Sequence, residues 1–276
     1  MRLSLDVCPP YSFDRTVAFL RAFPPCQGDH VLTDDAITAA VSIRGIARAF
    51  TVRAGAPLTV EVPRHVDDAT RRALVARAAH WIGARDDLRP LYAAAEGDPP
   101  FRARVRALWG LHHVRFLTLA EVAIYAVLAQ RTPIRAAAAL KRRFLARFGI
   151  PVDVGGATLR AMPELAELGA LLAAAIAEAI GHRAKAERIT EVVRGVAAIG
   201  EDALRHAPYA AMRDALLAIP GIGPFSAAFI LLRGLGRMDE LPTLPAIAEA
   251  ADALYGGRHD RAAIVRRYGD QVGYWA

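Results

Sequence analysis

One stretch, Tyr209–Gly236 (YAAMRDALLAIPGIGPFSAAFILLRGLG), constrains the fold more than any other part of the chain. Two apolar helical segments flank Pro220-Gly221-Ile222-Gly223-Pro224. Proline cannot continue the first helix, and it is pre-set for the opening of the second. Two glycines around a single apolar residue demand a tight hairpin. Glycine tolerates φ > 0 and lets a neighbouring group approach the backbone closely. Ile222 is expected to plug the hairpin into the core. The N–H groups opening the second helix lack partners and point outward, which favours an anion. A bare G-x-G also fits an ordinary αα turn. The longer pattern L-x-x-[IL]-P-G-I-G-P-[FW]-[ST]-A is far more specific.

The rest of the chain reads as mainly α with an N-terminal α/β domain. Residues 1–100 form that domain, and residues 101–276 are helical, with the hairpin at about 209–236. Phe13–Phe23 is an amphipathic helix closed by Pro24-Pro25. Ala36–Ile43, Ala49–Ala54 and Leu58–Val62 read as antiparallel strands, and 66–84 as helix. Gly97-Asp98-Pro99-Pro100 is a turn cluster that connects the two parts. Thr118-Leu119-Ala120-Glu121 fits a capping box opening a helix to Gln130. Thr132 and Pro133 read as N-cap and first residue of the next helix, which runs to Phe148. Helices are expected over 163–180 and 185–199, and no strand is expected after residue 101.

Charge is unevenly placed. The chain of 276 residues has 35 Lys+Arg and 28 Asp+Glu, a net charge of +7. Residues 101–150 hold Arg102, Arg104, Arg106, Arg115, Arg131, Arg135, Lys141, Arg142, Arg143 and Arg147 against Glu121 alone. So strong an excess fits a polyanion contact as well as a solvated helical face. Lys141 and Lys185 are the only lysines, so an amine nucleophile must come from them or the N-terminus. The hydrophobic content of 54% excludes a disordered chain. No apolar run reaches the roughly 18 residues of a membrane span. Cys8 and Cys26 are too few for a four-thiolate cluster or a disulfide framework. The N-terminus shows no signal-peptide pattern, so a soluble protein of a reducing, cytoplasmic compartment is expected. His112-His113 suit neither a helical metal face nor a strand face and read as surface or phosphate-near residues. No H-E-x-x-H, CxxC or P-loop pattern occurs, so no catalytic metal is expected.

Several motifs together carry a family resemblance. They are Pro9-Pro10-Tyr11-Ser12-Phe13, Ala126-Val127-Leu128-Ala129-Gln130, Gly181-His182-Arg183-Ala184-Lys185-Ala186, the Pro220–Ala227 hairpin, and Leu232-Arg233-Gly234-Leu235-Gly236. In this order the sequence resembles the helix-hairpin-helix DNA glycosylases, of the 3-methyladenine DNA glycosylase II type, over nearly its whole length. The resemblance implies a hairpin that grips DNA phosphates through backbone N–H groups of Gly221, Ile222 and Gly223, with a monovalent cation at its carbonyls. It implies no other cofactor. Gln130, Arg131 and Thr132 stand at the wedge that fills the gap left by an extruded base, a phosphate contact or a solvated helix end being the other reading of Arg131, and Arg183 and Lys185 belong to the same DNA-binding surface. Phe225 and Phe229 occupy the positions of the aromatic base-pocket residues, with Tyr125 on the opposing helix offering a polar contact. The partner implied is double-stranded DNA containing a modified base, bound by a monomer.

Two departures matter for chemistry. Counting from Gly221, the family's catalytic aspartate falls on Pro245, so that carboxylate is missing. Glu249, one helical turn on, is the substitute candidate, because helical side chains lean toward the N-terminus. An exposed helical glutamate is the competing reading, and Asp239 reads as a loop residue. The Schiff-base lysine of the bifunctional members is replaced by Phe225, so lyase activity is not expected. Two functions stay open. One is a monofunctional glycosylase that excises a modified base, either an alkylated purine or a bulkier base such as a hypermodified pyrimidine of foreign DNA. The other is a non-catalytic protein of the same fold that binds damaged DNA.

Overall fold

The computed structural model describes residues 1–257 and 259–276. β1 (Arg2–Leu5), β2 (His30–Leu32), β3 (Ala36–Ile43), β4 (Ile46–Arg53) and β5 (Leu58–Glu61) form an antiparallel sheet in the order β1-β5-β4-β3-β2. Arg44 and Gly45 turn β3 into β4 with φ of 54° and 73°, the left-handed pair that a two-residue hairpin turn requires. Ile37, Ala39 and Val41 alternate onto one face with Phe50, Val52 and Val60. There α1 (Phe13–Ala22) and α2 (Asp68–Trp81) close over them with Val17, Leu20, Leu74 and Trp81.

The expectation of no strands after residue 101 is corrected. β6 (Ile150–Val154) and β7 (Ala157–Ala161) form a hairpin turned at Gly155-Gly156, and Leu159 and Ala161 cover Ala40 on the other face of the sheet. β3 is therefore buried on both sides.

The helices α3 (Arg89–Glu96), α4 (Pro99–Ala107), α5 (Leu119–Leu128), α6 (Ile134–Phe148), α7 (Leu165–Gly169), α8 (Ala173–Ile180), α9 (Arg183–Ile199) and α10 (Glu201–His206) follow in chain order. Then come α11 (Tyr209–Leu217), α12 (Pro224–Phe229) with a π turn over Ile230–Gly234, α13 (Pro245–Tyr255), α14 (Arg261–Tyr268) and α15 (Val272–Trp275). Every residue of α5 is buried; all but Glu121 are apolar or aromatic, and Glu121 is paired with Lys141. The helix expected over 163–180 is two helices, with Ala170, Leu171 and Leu172 between them. Pro133 is the N-cap of α6, not its first residue. The Gly97–Pro100 turn joins α3 to α4. Their Leu91, Ala95, Phe101 and Val105 share one cluster with Ala251, Ile264, Tyr268 and Trp275 of the last three helices. No described helix is long and apolar enough to cross a membrane.

Candidate nucleic-acid interface and base pocket

α11 and α12 meet at the glycine hairpin. Gly221 has φ of 93°, and a Cβ there would stand 3.2 Å from the Arg188 side chain. Gly223 is extended, with nothing within 4 Å of a Cβ, so its outer side is open. Ile222 is buried in the helical core as expected. Its N–H, however, donates to Ile219 O at 3.0 Å, so this group of the expected anion grip is used inside the turn. Among the described residues, the N–H groups of Gly223, Phe225 and Ser226 have no acceptor within the protein.

The turn between α5 and α6 lies against this hairpin. The Gln130 side-chain amide donates to Gly221 O at 2.7 Å and to Ser226 Oγ at 3.1 Å. Arg188 donates to its Oε1 at 3.4 Å. Gln130 therefore ties the two loops together with its side chain. Arg131, next in sequence, is exposed with φ of 49°, a conformation that costs a non-glycine residue about 1 kcal/mol or more. The Thr132 hydroxyl donates to Gln130 O at 2.9 Å.

Lys185, expected on the DNA face, is only 4% exposed. Its Nζ donates to Val127 O, Leu128 O and Gln130 O at 3.1, 2.9 and 2.8 Å. All three ammonium protons are thus spent on the carbonyl end of α5, where a cation also complements the helix dipole. It positions the turn from within. Arg183 is 89% exposed and, among the described residues, pairs only with Glu187, one turn along α9, at 2.9 Å.

The three candidate pocket rings are brought together. Phe225, 43% exposed, stacks on Phe229 with centroids 5.5 Å apart. Phe229 lies 5.9 Å from Tyr125 and 5.5 Å from Phe116. Tyr125 is the buried floor, and burial pushes its hydroxyl up to about 12. That hydroxyl faces Ile134 O at 3.4 Å, so the expected polar contact from Tyr125 to an incoming base is replaced by an inward one.

Below Phe116 is a cluster that sequence reasoning missed. The Lys141 ammonium lies 5.5 Å from the Phe116 centroid. It donates to Pro25 O at 2.9 Å, to Asp29 Oδ2 at 2.6 Å and to Glu121. Desolvation opposes its charge, but the two carboxylates outweigh that and hold its pKa above the ordinary lysine value. No local pattern announces such a triad, because its members come from three separate segments.

His112 and His113 are not surface residues. The ring nitrogens of His112, 1% exposed, lie 2.7 Å from Gly83 O and 2.9 Å from Pro10 O. His113 Nε2 accepts from Arg233 at 2.8 Å, and burial with Arg233 beside it drives its pKa well below the usual value.

Pro245 opens α13, as the Glu249 hypothesis requires. Ile247, Ala251 and Leu254 define the packed side of α13. Glu249 lies two residues from Ile247 and Ala251, about 200° around the helix from each. It shares the exposed face with Pro245, and among the described residues it has no hydrogen-bond or salt-bridge partner. Asp239 is held by Arg237 through contacts of 3.0 and 2.7 Å, a loop role.

No family model matches the chain. It is 26% identical over 174 residues to the DNA-3-methyladenine glycosylase of Bacillus subtilis, which covers 62% of this chain and 57% of that protein. It is 31% identical over 172 residues to a probable bifunctional transcriptional activator/DNA repair enzyme AlkA of Mycobacterium tuberculosis, covering 60% of this chain and 33% of that protein. The matched part therefore spans from a third to somewhat over half of these relatives. The 3-methyladenine DNA-glycosylase from Archaeoglobus fulgidus superposes over 100% of this chain and 96% of its own, with a TM-score of 0.79 and 19% identity. The fold is that of the helix-hairpin-helix DNA glycosylases.

Proposed function

We propose that this protein binds duplex DNA, extrudes a modified base and hydrolyses its N-glycosidic bond, leaving an abasic site. The carrying observation is the pair of Gln130 bonds to Gly221 and Ser226. They fix an exposed arginine tip beside a hairpin with open N–H groups. A rigid tip at a fixed offset from a phosphate grip is what base extrusion requires. The three stacked rings offer the extruded base an aromatic surface, and Phe225 is its exposed member. The reading includes a monovalent cation at the hairpin carbonyls, of which Gly221 O already accepts from Gln130 and Ile219 O from Ile222 N–H. The activities of the relatives point the same way.

The amines support a monofunctional reaction. Lys141 is ion-paired and 1% exposed, and Lys185 is bonded to three carbonyls. The N-terminal amine donates to Val62 O at 2.8 Å, at the end of the sheet. None is free to attack a sugar carbon. For hydrolysis, Glu249 is the candidate carboxylate to activate water or stabilise the sugar cation, and its exposed position on the face of Pro245 weighs toward the binding reading.

One observation favours the second reading, a non-catalytic binder. The carboxylates around the aromatic cluster, Glu121 and Asp29, are both committed to Lys141. A single experiment separates the two. The protein is incubated with alkylated, deaminated and hypermodified duplexes, and abasic sites are then cleaved by alkali. Strand breaks with one of these duplexes establish the enzyme. Tight binding with no breaks establishes the binder.

A further inference from the structure

The face of the second hairpin helix that carries Phe225 and Phe229 continues one turn on to Leu232 and Arg233. These two residues, but neither phenylalanine ring, line a cavity of about 380 Å³, within the roughly 300–1,000 Å³ range of small-ligand sites. Phe19 of α1, His113 and Tyr274 form other parts of its wall. No Asp or Glu lines it among the described residues, while two arginines, Arg104 and Arg233, do.

Arg233 is an uncompensated cation. Its guanidinium lies 5.2 Å from the Phe19 centroid and 5.0 Å from that of Phe23. Among the described residues it has no carboxylate partner, and its one side-chain hydrogen bond goes to a histidine nitrogen. Burial lowers its pKa to about 10, so it remains charged at neutral pH. His113 accepts from Arg233 through Nε2, which leaves the proton of the neutral ring on Nδ1. That nitrogen is buried without a partner. The cavity wall thus carries a positive charge that no Asp or Glu side chain among the described residues answers.

Resting on the glycosylase reading, we propose that this cavity receives the extruded base and that Arg233 and His113 select a neutral base carrying a carbonyl acceptor, against a base already cationic from ring alkylation. A cationic purine would meet a like charge in a desolvated site. A neutral base with a carbonyl oxygen gives the Arg233 guanidinium a second acceptor beside His113 Nε2. On hydrolysis the C1′–N bond breaks with its electron pair on the base, and Arg233 stabilises the negative charge collecting on the carbonyl oxygen. Water supplies hydroxyl to C1′, and the base takes up its proton. Part of the burden of the absent aspartate thereby passes from the sugar to the leaving group.

The test uses duplexes fluorinated at the target sugar C2′, which resist hydrolysis, so that binding is read alone. The target is hypoxanthine, N7-methylguanine or unmodified adenine, which is neutral but has an amino group where hypoxanthine has its carbonyl, with a neighbouring 2-aminopurine reporting extrusion. The expected result is about tenfold tighter binding of hypoxanthine than of adenine, the scale of one charge-assisted hydrogen bond, and no gain for N7-methylguanine over adenine. Arg233→Gln should erase that preference, and Arg233→Lys should retain part of it. Tighter binding of N7-methylguanine, or an unchanged preference in a folded Arg233→Gln protein, overturns the proposal. The wild-type ranking decides even if both variants fail to fold. No 2-aminopurine signal with any duplex sinks the glycosylase reading itself, whereas extrusion with a cationic preference sinks only this inference.

Discussion

The amide of Gln130 donates to the carbonyl of Gly221 at 2.7 Å, joining two loops that are 91 residues apart in sequence. The same amide reaches Ser226, so removing it leaves two acceptors unanswered. Gln130→Ala should cost about 1–3 kcal/mol of stability, the range for partners left unpaired. It should weaken DNA binding further than the stability loss explains, because Arg131 would lose its fixed offset from the hairpin. Urea denaturation and fluorescence anisotropy on one duplex check the two effects. Equal affinity of the variant and the parent would show that the tie holds only the fold.

Lys185 governs the same turn from inside. Lys185→Met keeps the length of the side chain and deletes three donors, leaving Val127, Leu128 and Gln130 carbonyls without them. The expected loss is on the order of 3 kcal/mol, with urea midpoints as the measurement. Lys185→Arg keeps the charge but cannot point three donors at one helix end, so it should recover part of the loss.

How far these roles could be read in advance depended on range. The hairpin was legible because Pro220, Gly221, Ile222, Gly223 and Pro224 are adjacent and each is dictated by local backbone geometry. Thr118 was legible for the same reason, and its hydroxyl accepts from Glu121 N at 3.1 Å. The other half of that box failed: the Glu121 carboxylate accepts from Leu117 N and turns its other oxygen to Lys141. Long-range pairing decided that, as it decided the burial of Lys185 and His112. β6 and β7 escaped because five-residue strands beside a long helix carry little periodicity. Gly155-Gly156 between Val152, Val154 and Leu159 was the signal available.

Buried neutral histidines make stability depend on pH. His80 Nδ1 faces Arg205 at 3.0 Å and its Nε2 faces Gly234 O at 2.9 Å, an arrangement that suits only the neutral ring. Burial, then Arg115 and Arg205, lowers its pKa to about 2. His30 and His113 are also lowered, chiefly by burial. In each case the unfolded chain binds a proton that the fold refuses. Stability from these groups is therefore complete above about pH 6.5 and falls as pH drops below it, by up to about 1.4 kcal/mol per pH unit for each group. Denaturant midpoints between pH 7.5 and 5 should fall steadily, and His113→Gln should flatten the slope. A constant midpoint would show that these rings titrate normally.

Glu249 is the sharpest point of the catalytic reading. Glu249→Gln preserves shape and helix propensity on an exposed face, so stability should change by less than about 0.5 kcal/mol. If its carboxylate serves hydrolysis, base release should fall about 100-fold or more while duplex affinity stays the same. Single-turnover release with enzyme in excess isolates that step. Full release by the variant removes Glu249 from the mechanism.

Arg131 tests the surface as a whole. Arg131→Ala deletes an exposed tip side chain that makes no bond among the described residues, so the fold should be untouched. If the tip enters the duplex stack, the variant should lose extrusion of 2-aminopurine while the slope of log affinity against log salt stays fixed. If Arg131 contacts a phosphate instead, that slope should fall in magnitude by about 0.9, the value for one phosphate contact on duplex DNA. Arg183→Ala is the control. Its side chain is 89% exposed beyond the turn, and as a phosphate contact it should lower the slope without affecting extrusion. A flat salt response of the parent protein would remove the arginine-rich segment from the DNA face, and the two variants would then be indistinguishable from it.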